Sequence, residues 1–478
     1  MAGQRQSRFE RGEDVVVMKF GGTSVEDAAA IRRLIEIVKS RLDAQPMVVV
    51  SALARVTDQL LEAGNAGAKG HLGSALATVR NIYVRHEDLA DSLLSSSAYR
   101  SLERELRTDF QSLESLLHEV ANSRQLDLMT QDQLLGFGEC FSSRLVSEAL
   151  NEAGLEATHV DSRSCVITDN RHGQANPLWD ETNQRVRDVV GPVVQAGRVP
   201  VMGGFIASTV DGVPTTLGRG GSDFSASIIG AALAASRVEI WTDVDGVMTT
   251  DPKLCSDARV IRKMSFDEAA ELAHFGAKVL HPATIAPAMR ENIPVYVLNS
   301  RRPDGDGTEI ASRASSSNRV SAITAKRKVA AVEIQAPQID SALLNSVFAA
   351  FDQHSCAVDV IGTSLGRISM LVGSTDVLLE IAASLQDVAQ VQWENHRALV
   401  CLVGENIRRQ PEVASRAFAA VADMDVRVLC QGASDRTISF LVDESKVEES
   451  VQRLHGLFFP KAESRDWGGI STAFCQAG

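Results

Sequence analysis

The sequence predicts an α/β protein, with a mostly parallel sheet sandwiched by helices, followed by two small α+β modules. Short runs rich in β-branched residues alternate with amphipathic stretches through about the first 310 residues, which indicates βαβ units. Beyond them lies an internal repeat, in which Phe348-Ala349-Ala350 recurs as Phe418-Ala419-Ala420. Each copy follows the order strand, helix, strand, turn, strand, helix.

Five apolar runs are predicted to form buried strands, at residues 15–20, 47–50, 199–202, 238–241 and 295–298. Between them, helical periodicity predicts helices at residues 28–42, 139–153 and 223–235. The segment from about residue 70 to 133 differs from this alternating pattern, because leucines recur in it at helical spacing along a polar stretch. This segment is expected to be an antiparallel helical insertion that covers one edge of the sheet.

The domain boundaries follow from turn-forming segments. The sequences PDGDG at residues 303–307 and SSSN at residues 315–318 predict a linker. We therefore expect a flexible tail at 1–14, a sheet domain at 15–310, a linker at 311–328, and modules at 329–394 and 395–478. Units this small bury little core, so the modules should pack against each other or against another subunit.

Composition excludes several classes of protein. Of 478 residues, 44% are hydrophobic and 23% are charged, which is typical of a globular chain. The formal charge of −13 argues against non-specific binding to nucleic acid or to an anionic membrane. No apolar run approaches the ~18 residues of a membrane span, and the polar start resembles no signal peptide. The seven scattered cysteines form no Cys-x-x-Cys pair or metal cage, so we expect a cytoplasmic protein with free thiols.

A glycine pair follows the first predicted strand, in the segment KFGGTS at residues 19–24. Two glycines let the backbone approach a ligand closely, and a helix start offers unpaired amides to an anion. Lys19 adds a point charge at the end of the strand. By itself the segment is equally compatible with an ordinary Gly-Gly turn that Thr23 or Ser24 caps.

A second glycine-rich loop, TTLGRGGSD at residues 215–223, also precedes a predicted helix. Asp223 suits a helix N-cap, but a cap requires neither the three glycines nor the arginine. The Arg219 guanidinium can bind a carboxylate with two hydrogen bonds, and Asp223 can accept from an ammonium group. An α-amino acid presents both groups.

Three more segments carry polar residues. The segment WTDVDGV at residues 241–247 ends a predicted strand, where ligands bind in open α/β sheets. Glu139 is expected to begin a helix, where a carboxylate also stabilises the helix dipole. The segment FGAKVLHP at residues 275–282 places Lys278 among apolar residues.

Together, these segments resemble the aspartate kinases, which have the amino-acid-kinase fold, from about residue 15 to 459. The repeated tail resembles paired ACT domains, which are ferredoxin-like. The resemblance implies phosphorylation of the side-chain carboxylate of L-aspartate by ATP, the first step towards lysine, threonine and methionine. Two alternatives are a weakly catalytic amino-acid sensor that acts on a partner, and a related kinase acting on glutamate or acetylglutamate.

The resemblance also implies roles for individual residues. Lys19 would bridge the ATP phosphates and the attacking carboxylate, and the amides of Gly21 and Gly22 would bind phosphate oxygens. Arg219 would bind a carboxylate of aspartate, while Asp223 and Glu139 would hold its ammonium group. Mg²⁺ would be held by the phosphates, with no protein ligand. Further substrate contacts are implied for Ser51, Thr57 and Ser222, and nucleotide contacts for Thr23, Thr242, Asp243, Met248, Lys253, Lys278 and Val279.

The chain departs from the family pattern at several of these positions. Met248 replaces a common tyrosine, and Lys253 replaces an arginine. In the first module, Ala342-Leu343-Leu344 stands where a Gly-Phe-Leu type of segment is common. Val358, Asp359 and Ser364 keep the pattern of the effector site. Lysine or threonine is the expected effector, and a homodimer or homotetramer through the ACT modules is the expected assembly.

Overall fold

The computed structural model describes residues 15–277, 282–313, 320–373, 375–427, 429–431 and 434–460, which divide into two units. The first unit holds the described residues within Met1–Thr249, Arg259–Ser321 and Val403–Asn406. The second unit holds those within Thr250–Ala258, Ala322–Leu402 and Ile407–Gly478. The predicted tail at 1–14 lies outside the described residues.

Two sheets form the first unit. Their strands are β1 (Val16–Phe20), β2 (Pro46–Val50), β3 (Ala157–Val160), β4 (Ile167–Thr168), β5 (Val199–Gly203), β6 (Ile206–Thr209), β7 (Pro214–Thr216), β8 (Arg237–Thr242), β9 (Lys263–Ser265), β10 (Val295–Asn299) and β11 (Thr308–Ala311). The larger sheet has the order β3-β5-β2-β1-β8-β10-β11-β9, and β4-β6-β7 form the smaller one. Only β10 and β11 pair antiparallel in the larger sheet. The five predicted strands are confirmed as β1, β2, β5, β8 and β10.

Helices cover both faces of the larger sheet. They are α1 (Ala28–Lys39), α2 (Val56–Ala68), α3 (Leu72–Leu93), α4 (Ser96–Ser123), α5 (Leu128–Glu152), α6 (Trp179–Gln195), α7 (Gly221–Ala232), α8 (Phe266–His274) and α9 (Pro282–Arg290). Alternate residues of β1, namely Val16, Met18 and Phe20, join one core with α1 and α5. On the opposite face, Gly230 of α7 packs against Val17. This alternation places the next residue on that face, Lys19, towards α7.

The helical insertion is longer than predicted. Helices α2 to α5 pack on one another, and α5 continues to Glu152. The prediction that a helix begins at Glu139 is therefore wrong, because α5 begins at Leu128, where Asp127 accepts a hydrogen bond from the Thr130 amide at 2.7 Å. Gly138 does not end the helix. It packs tightly against the loop that follows β2, where a Cβ on Gly138 would lie 2.9 Å from the Ala52 Cβ.

The second unit contains the repeated modules in the predicted element order. Its elements are β12 (Ala322–Gln335), α10 (Ser341–Gln353), β13 (Val358–Ser364), β14 (Arg367–Val372), α11 (Leu378–Leu385), β15 (Gln390–Val403), α12 (Pro411–Ala420), β16 (Leu429–Gln431), β17 (Thr437–Asp443) and α13 (Val447–Phe458). All six strands form one sheet, in the order β13-β14-β12-β15-β17-β16. The two modules therefore complete one shared sheet, which is one of the two packing modes expected from their size.

The linker prediction requires a correction. Strand β12 begins at Ala322, so residues 322–328 belong to a strand and not to a linker. The basic run Lys326-Arg327-Lys328 conceals this strand in the sequence, whereas Ala322 and Ile323 are buried. Among the helices that the structure describes, none combines the length and apolar character that crossing a bilayer requires.

Candidate active site

The candidate site lies at the carboxyl ends of neighbouring parallel strands. Phe20, the last residue of β1, is in register with Val50 of β2 and Trp241 of β8. The segments that follow these strands therefore meet at one edge of the sheet. We call residues 21–27 the glycine loop and residues 51–55 the serine loop. The Ser51 amide donates to the Phe20 carbonyl at 3.0 Å, which joins the serine loop to β1.

Lys19 and Asp223 form an ion pair at this edge. The Lys19 Nζ lies 2.6 Å from the Asp223 Oδ1, and both side chains are largely buried. Asp223 occupies the first turn of α7, the helix that Lys19 faces. The sequence predicted both residues at the site but did not predict that they would be paired. A buried ammonium group beside a single carboxylate retains donors for further oxyanions.

The glycine loop has tight geometry at Gly22. A Cβ on Gly22 would lie 2.9 Å from the Ala52 carbonyl oxygen, so only glycine allows this approach between the glycine and serine loops. Gly22 begins the 3-10 turn Gly22–Ser24, which contains Thr23. The prediction for Gly21 requires a correction, because its amide donates to the Trp241 carbonyl at 3.0 Å. That amide is occupied by the fold, so it is not free to bind phosphate.

Glu139 is a buried carboxyl group in the middle of α5, not at a helix start. Its Oε1 accepts a hydrogen bond from the Ala52 amide at 3.1 Å. Its Oε2 is buried with no hydrogen-bond partner among the described residues. Burial raises the pKa of Glu139 to about 8, although the Ala52 amide and the Lys19 ammonium oppose the shift. An unpaired buried carboxyl oxygen is suited to receive a cationic group of a ligand.

The loop that carries Arg219 connects β7 to α7. Gly218 and Gly220 flank Arg219 with φ angles of 74° and 71°, a backbone region that favours glycine. Arg219 is exposed. Ser222 follows in the first turn of α7 and packs on Gly204, where a Cβ would lie 2.6 Å from the Ser222 Cβ. The loop therefore presents its guanidinium from a conformation that its glycines permit.

Asp132 is a buried carboxylate that the sequence analysis missed. It accepts hydrogen bonds from the Gly173 amide at 3.0 Å, from the His172 Nδ1 at 2.9 Å and from the Thr216 hydroxyl. Thr216 ends β7, directly before the arginine-bearing loop, so Asp132 holds the base of that loop. A usable signal existed, because Asp132 precedes Glu139 by two helical turns and shares its face of α5.

Thr242 ends β8 and Asp243 follows it, at the edge of the sheet where the nucleotide contacts are predicted. The Thr242 carbonyl accepts from the Ser300 amide at 2.8 Å, and the Ser300 Oγ lies 2.8 Å from the Ser24 Oγ. Ser300 follows β10 at the same edge and was also missed, although the rule that selected Thr242 applies to it. This hydroxyl also donates to the Thr242 carbonyl at 3.1 Å, so it links the glycine loop to the end of β8.

The remaining predicted site residues differ in their location and exposure. Ser51 and Thr57 are half-buried, in the serine loop and at the start of α2. Met248 is half-buried and forms an isolated β-bridge with Val260. Lys253 is exposed and belongs to the second unit. Lys278 and Val279 lie outside the described residues.

The predicted effector residues lie on two elements of the first module. Ala342, Leu343 and Leu344 lie on α10, whereas Val358, Asp359 and Ser364 lie on β13, which is an edge strand. The prediction for Leu343 requires a correction, because its side chain is buried in the core of the module and is therefore not open to a ligand.

Asp359 is paired within the second unit. Its carboxylate oxygens lie 2.7 and 2.6 Å from the Nζ of Lys326 on β12. The Asp359 side chain is mostly buried. The Lys326 ammonium group therefore already pairs with the carboxylate of this predicted effector residue.

Comparisons with known proteins agree with the fold. A model of the amino acid kinase family matches residues 14–299, and a model of the ACT domain matches residues 400–458. The chain is 34% identical to the lysine-sensitive aspartokinase 3 of Escherichia coli over 93% of its length and 99% of the relative. It is 33% identical to the chloroplastic aspartokinase 3 of Arabidopsis thaliana, covering 93% and 81% of the two chains.

Solved structures give the same result. The crystal structure of E. coli aspartokinase III in complex with aspartate and ADP matches with a TM-score of 0.80 at 33% identity, over 93% of this chain and 100% of that one. The same enzyme in complex with lysine and aspartate matches with a TM-score of 0.79, over the same shares.

The fold and the matching family models thus define an amino acid kinase with an ACT domain after the kinase domain. Within that class, the chain belongs to the aspartokinase family.

Proposed function

We propose that the protein transfers the γ-phosphoryl group of ATP to the side-chain carboxylate of L-aspartate, giving 4-phospho-L-aspartate and ADP. The bond from the γ-phosphorus to the ADP oxygen breaks, and a bond to the carboxylate oxygen forms. One observation supports this most directly: the Lys19–Asp223 pair joins the end of β1, directly before the glycine loop, to the first turn of α7. A carboxylate is already nucleophilic at neutral pH, so the residues must mainly position two anions and neutralise their charge.

Lys19 stabilises the charge of both reactants. Its ammonium group bridges the ATP phosphates and the attacking carboxylate, and its pairing with Asp223 holds it in place. Gly22 and Thr23 border the phosphates from the glycine loop. Electrostatic stabilisation of this kind is usually the largest single contribution to catalysis.

The substrate is held by groups of opposite charge. Arg219 binds a carboxylate of aspartate, and Glu139 and Asp223 bind the ammonium group. The unpartnered, buried Glu139 Oε2 supports this assignment. Polar side chains complete the pocket at Ser51, Thr57 and Ser222.

The nucleotide is assigned to the segments after β8. Thr242, Asp243 and Met248 border it, and Lys253, Lys278 and Val279 are further candidates. The described residues contain no group of three or more His, Cys, Asp or Glu side chains placed to hold a metal ion. We therefore assign Mg²⁺ to the phosphate oxygens and water, where it would neutralise phosphate charge.

A coupled assay for ADP release tests the reaction. The protein is supplied with ATP, Mg²⁺ and one of three acceptors: aspartate, glutamate or acetylglutamate. We expect ADP release with aspartate and not with glutamate or acetylglutamate. Hydroxylamine should trap the acyl phosphate product. Turnover with another acceptor, or with none of the three, would overturn the proposal.

Replacing Arg219 with lysine is expected to raise the KM for aspartate by about 10-fold or more, with a much smaller change in the KM for ATP. Lysine retains the charge but cannot form two parallel hydrogen bonds with a carboxylate. Steady-state kinetics with each substrate varied in turn measures the effect. Arg104→Lys, an exposed change on α4, serves as the control. Equal increases in both KM values would contradict the assignment.

We also propose that an amino-acid effector, lysine or threonine, binds the ACT modules. The lysine-sensitive relative and the lysine complex of E. coli aspartokinase III support lysine as the first choice. The ammonium group of an effector would compete with Lys326 for the carboxylate of Asp359. We also assign to these modules the formation of a homodimer or homotetramer. Light scattering, which gives the molar mass in solution, tests this assignment.

Millimolar lysine or threonine is expected to lower activity or shift the Tm of the wild-type protein, and Asp359→Asn should remove most of the response. The amide cannot form an ion pair with an ammonium group. Activity and Tm are measured with and without each amino acid. Silence of the wild type to lysine, threonine and methionine would mean that the modules only assemble subunits.

A further inference from the structure

Arg85 connects the helical insertion to two loops of the site. It lies on α3, half-buried, and its two terminal nitrogens donate to different loops. Nη1 donates to the Ala54 carbonyl in the serine loop at 2.8 Å. Nη2 donates to the Glu26 carbonyl in the glycine loop at 2.8 Å. One guanidinium group therefore joins both loops to the same helix.

The two loops are already in direct contact on their inner side. The Ala54 amide donates to the Gly22 carbonyl at 3.1 Å, and Gly22 leaves no room for a Cβ against Ala52. The glycine loop carries the residues assigned to phosphate, and the serine loop carries Ser51, which is assigned to aspartate. A fixed spacing between the loops therefore fixes the spacing between the two substrates.

We propose that Arg85 is a positioning residue that holds the glycine and serine loops in a single arrangement, and so sets the distance between the phosphate and aspartate subsites. This inference rests on the proposed function. In this role Arg85 acts through the two carbonyl groups and not by binding either substrate. The helical insertion thereby contributes to the site in addition to covering the sheet.

The planar guanidinium is well suited to this role. Its two terminal nitrogens point in fixed directions and donate to two separate acceptors at the same time. A lysine at this position would present one ammonium group on a flexible stem, so it could bind one carbonyl firmly but not both. Loss of the link would let the loops move apart, and misplacement by about 1 Å can cost as much as 10²-fold in rate.

The test compares Arg85→Met and Arg85→Lys with Arg32→Met. Arg32 lies on α1 and also donates a terminal nitrogen to a carbonyl, that of Ser92 at 3.0 Å, but it joins neither loop. For each variant, kcat, both KM values and Tm are measured, and ADP binding is measured by calorimetry. Arg85→Met should raise the KM for ATP and for aspartate by about five-fold or more each and weaken ADP binding similarly, because loop placement governs both subsites. Arg85→Lys should lie between Arg85→Met and the wild type.

The outcomes separate this role from a structural one. Unchanged KM values in Arg85→Met, an increase for one substrate only, or a lower Tm with normal kinetics would overturn the inference. Equal losses in Arg85→Met and Arg32→Met would also overturn it. If Arg85→Met does not fold, Arg85→Lys decides: wild-type KM values for both substrates would contradict the role. Absence of aspartate phosphorylation by the wild-type protein would instead overturn the proposed function, and ADP binding would still report on Arg85.

Discussion

Replacing Lys19 with alanine is expected to lower kcat by at least about 100-fold, the scale of one electrostatic contact made in a transition state. The Nζ of Lys19 lies 2.6 Å from Asp223 and is the cation assigned to the meeting point of the two reacting anions. Without it, the phosphates and the aspartate carboxylate repel each other, and Asp223 remains buried without its partner. Steady-state kinetics at saturating ATP and aspartate measures the loss.

Lys39→Ala is the matched control for Lys19→Ala. Lys39 ends α1 and pairs with Glu36 on the surface at 2.8 Å, so its loss should leave kcat unchanged. Circular dichroism and Tm must show that Lys19→Ala remains folded. A folded Lys19→Ala protein with near-normal turnover would contradict the role of Lys19.

Replacing Glu139 with glutamine is expected to raise the KM for aspartate by about 10-fold or more and to remove a pH dependence of that constant. A buried charge that loses its opposite partner costs several kcal/mol, so an ammonium group gains greatly from a carboxylate here. The pKa of Glu139 is raised to about 8 by burial, so the ligand-free protein carries the neutral acid at pH 7. Aspartate must bind the ionised form, so its KM should fall as the pH rises through 8.

The same pKa predicts the sign of a stability change. The folded-state pKa of about 8 lies above the ordinary value of 4.5, so the folded protein binds this proton more tightly than the unfolded chain does. The resulting stabilisation is complete below 4.5 and is lost as the pH rises through 8. Between pH 6 and about 9, the Tm of the wild type should therefore decrease relative to that of Glu139→Gln.

Kinetics in aspartate from pH 6.5 to about 8.5 tests the first effect, and thermal melts over the wider range test the second. Glu119→Gln, an exposed change on α4, provides the control for both. A KM for aspartate in Glu139→Gln that equals the wild-type value at every pH would rule out an ammonium contact.

Local patterns in the sequence predicted the strands that are apolar on both faces. The runs at β1, β2, β5, β8 and β10 are rich in valine and isoleucine and are buried at most of their positions, so their burial is visible in the sequence. The hairpin of β6 and β7 was missed because it is short and rich in threonine and serine. The start of β12 was missed because a basic run interrupts its apolar pattern.

The site was predictable where a residue lies at the end of a recognisable strand or in the first turn of a helix. Lys19 and Asp223 satisfy that rule, and the structure pairs them. Asp132 and Arg85 do not satisfy it. Asp132 binds Thr216, which is 84 residues away in the sequence, and Arg85 binds Glu26, which is 59 residues away. Such long-range hydrogen bonds leave no local periodicity. The sequence pattern singled out Glu139 and the family resemblance supplied its ligand role, although the helix around it was placed eleven residues too late.

The sheet shared by the two modules has a mechanical consequence. Its central strands, β12 and β15, are each 14 residues long. At ~3.3 Å per residue, each spans roughly 45 Å. Strand β12 pairs with β14 of the first module over Ala330–Gln335 and packs against α13 of the second module, so a tilt of one module relative to the other would strain this strand. We therefore expect a ligand that stiffens one module to slow amide hydrogen exchange in the other, and the two modules to unfold together in a thermal melt.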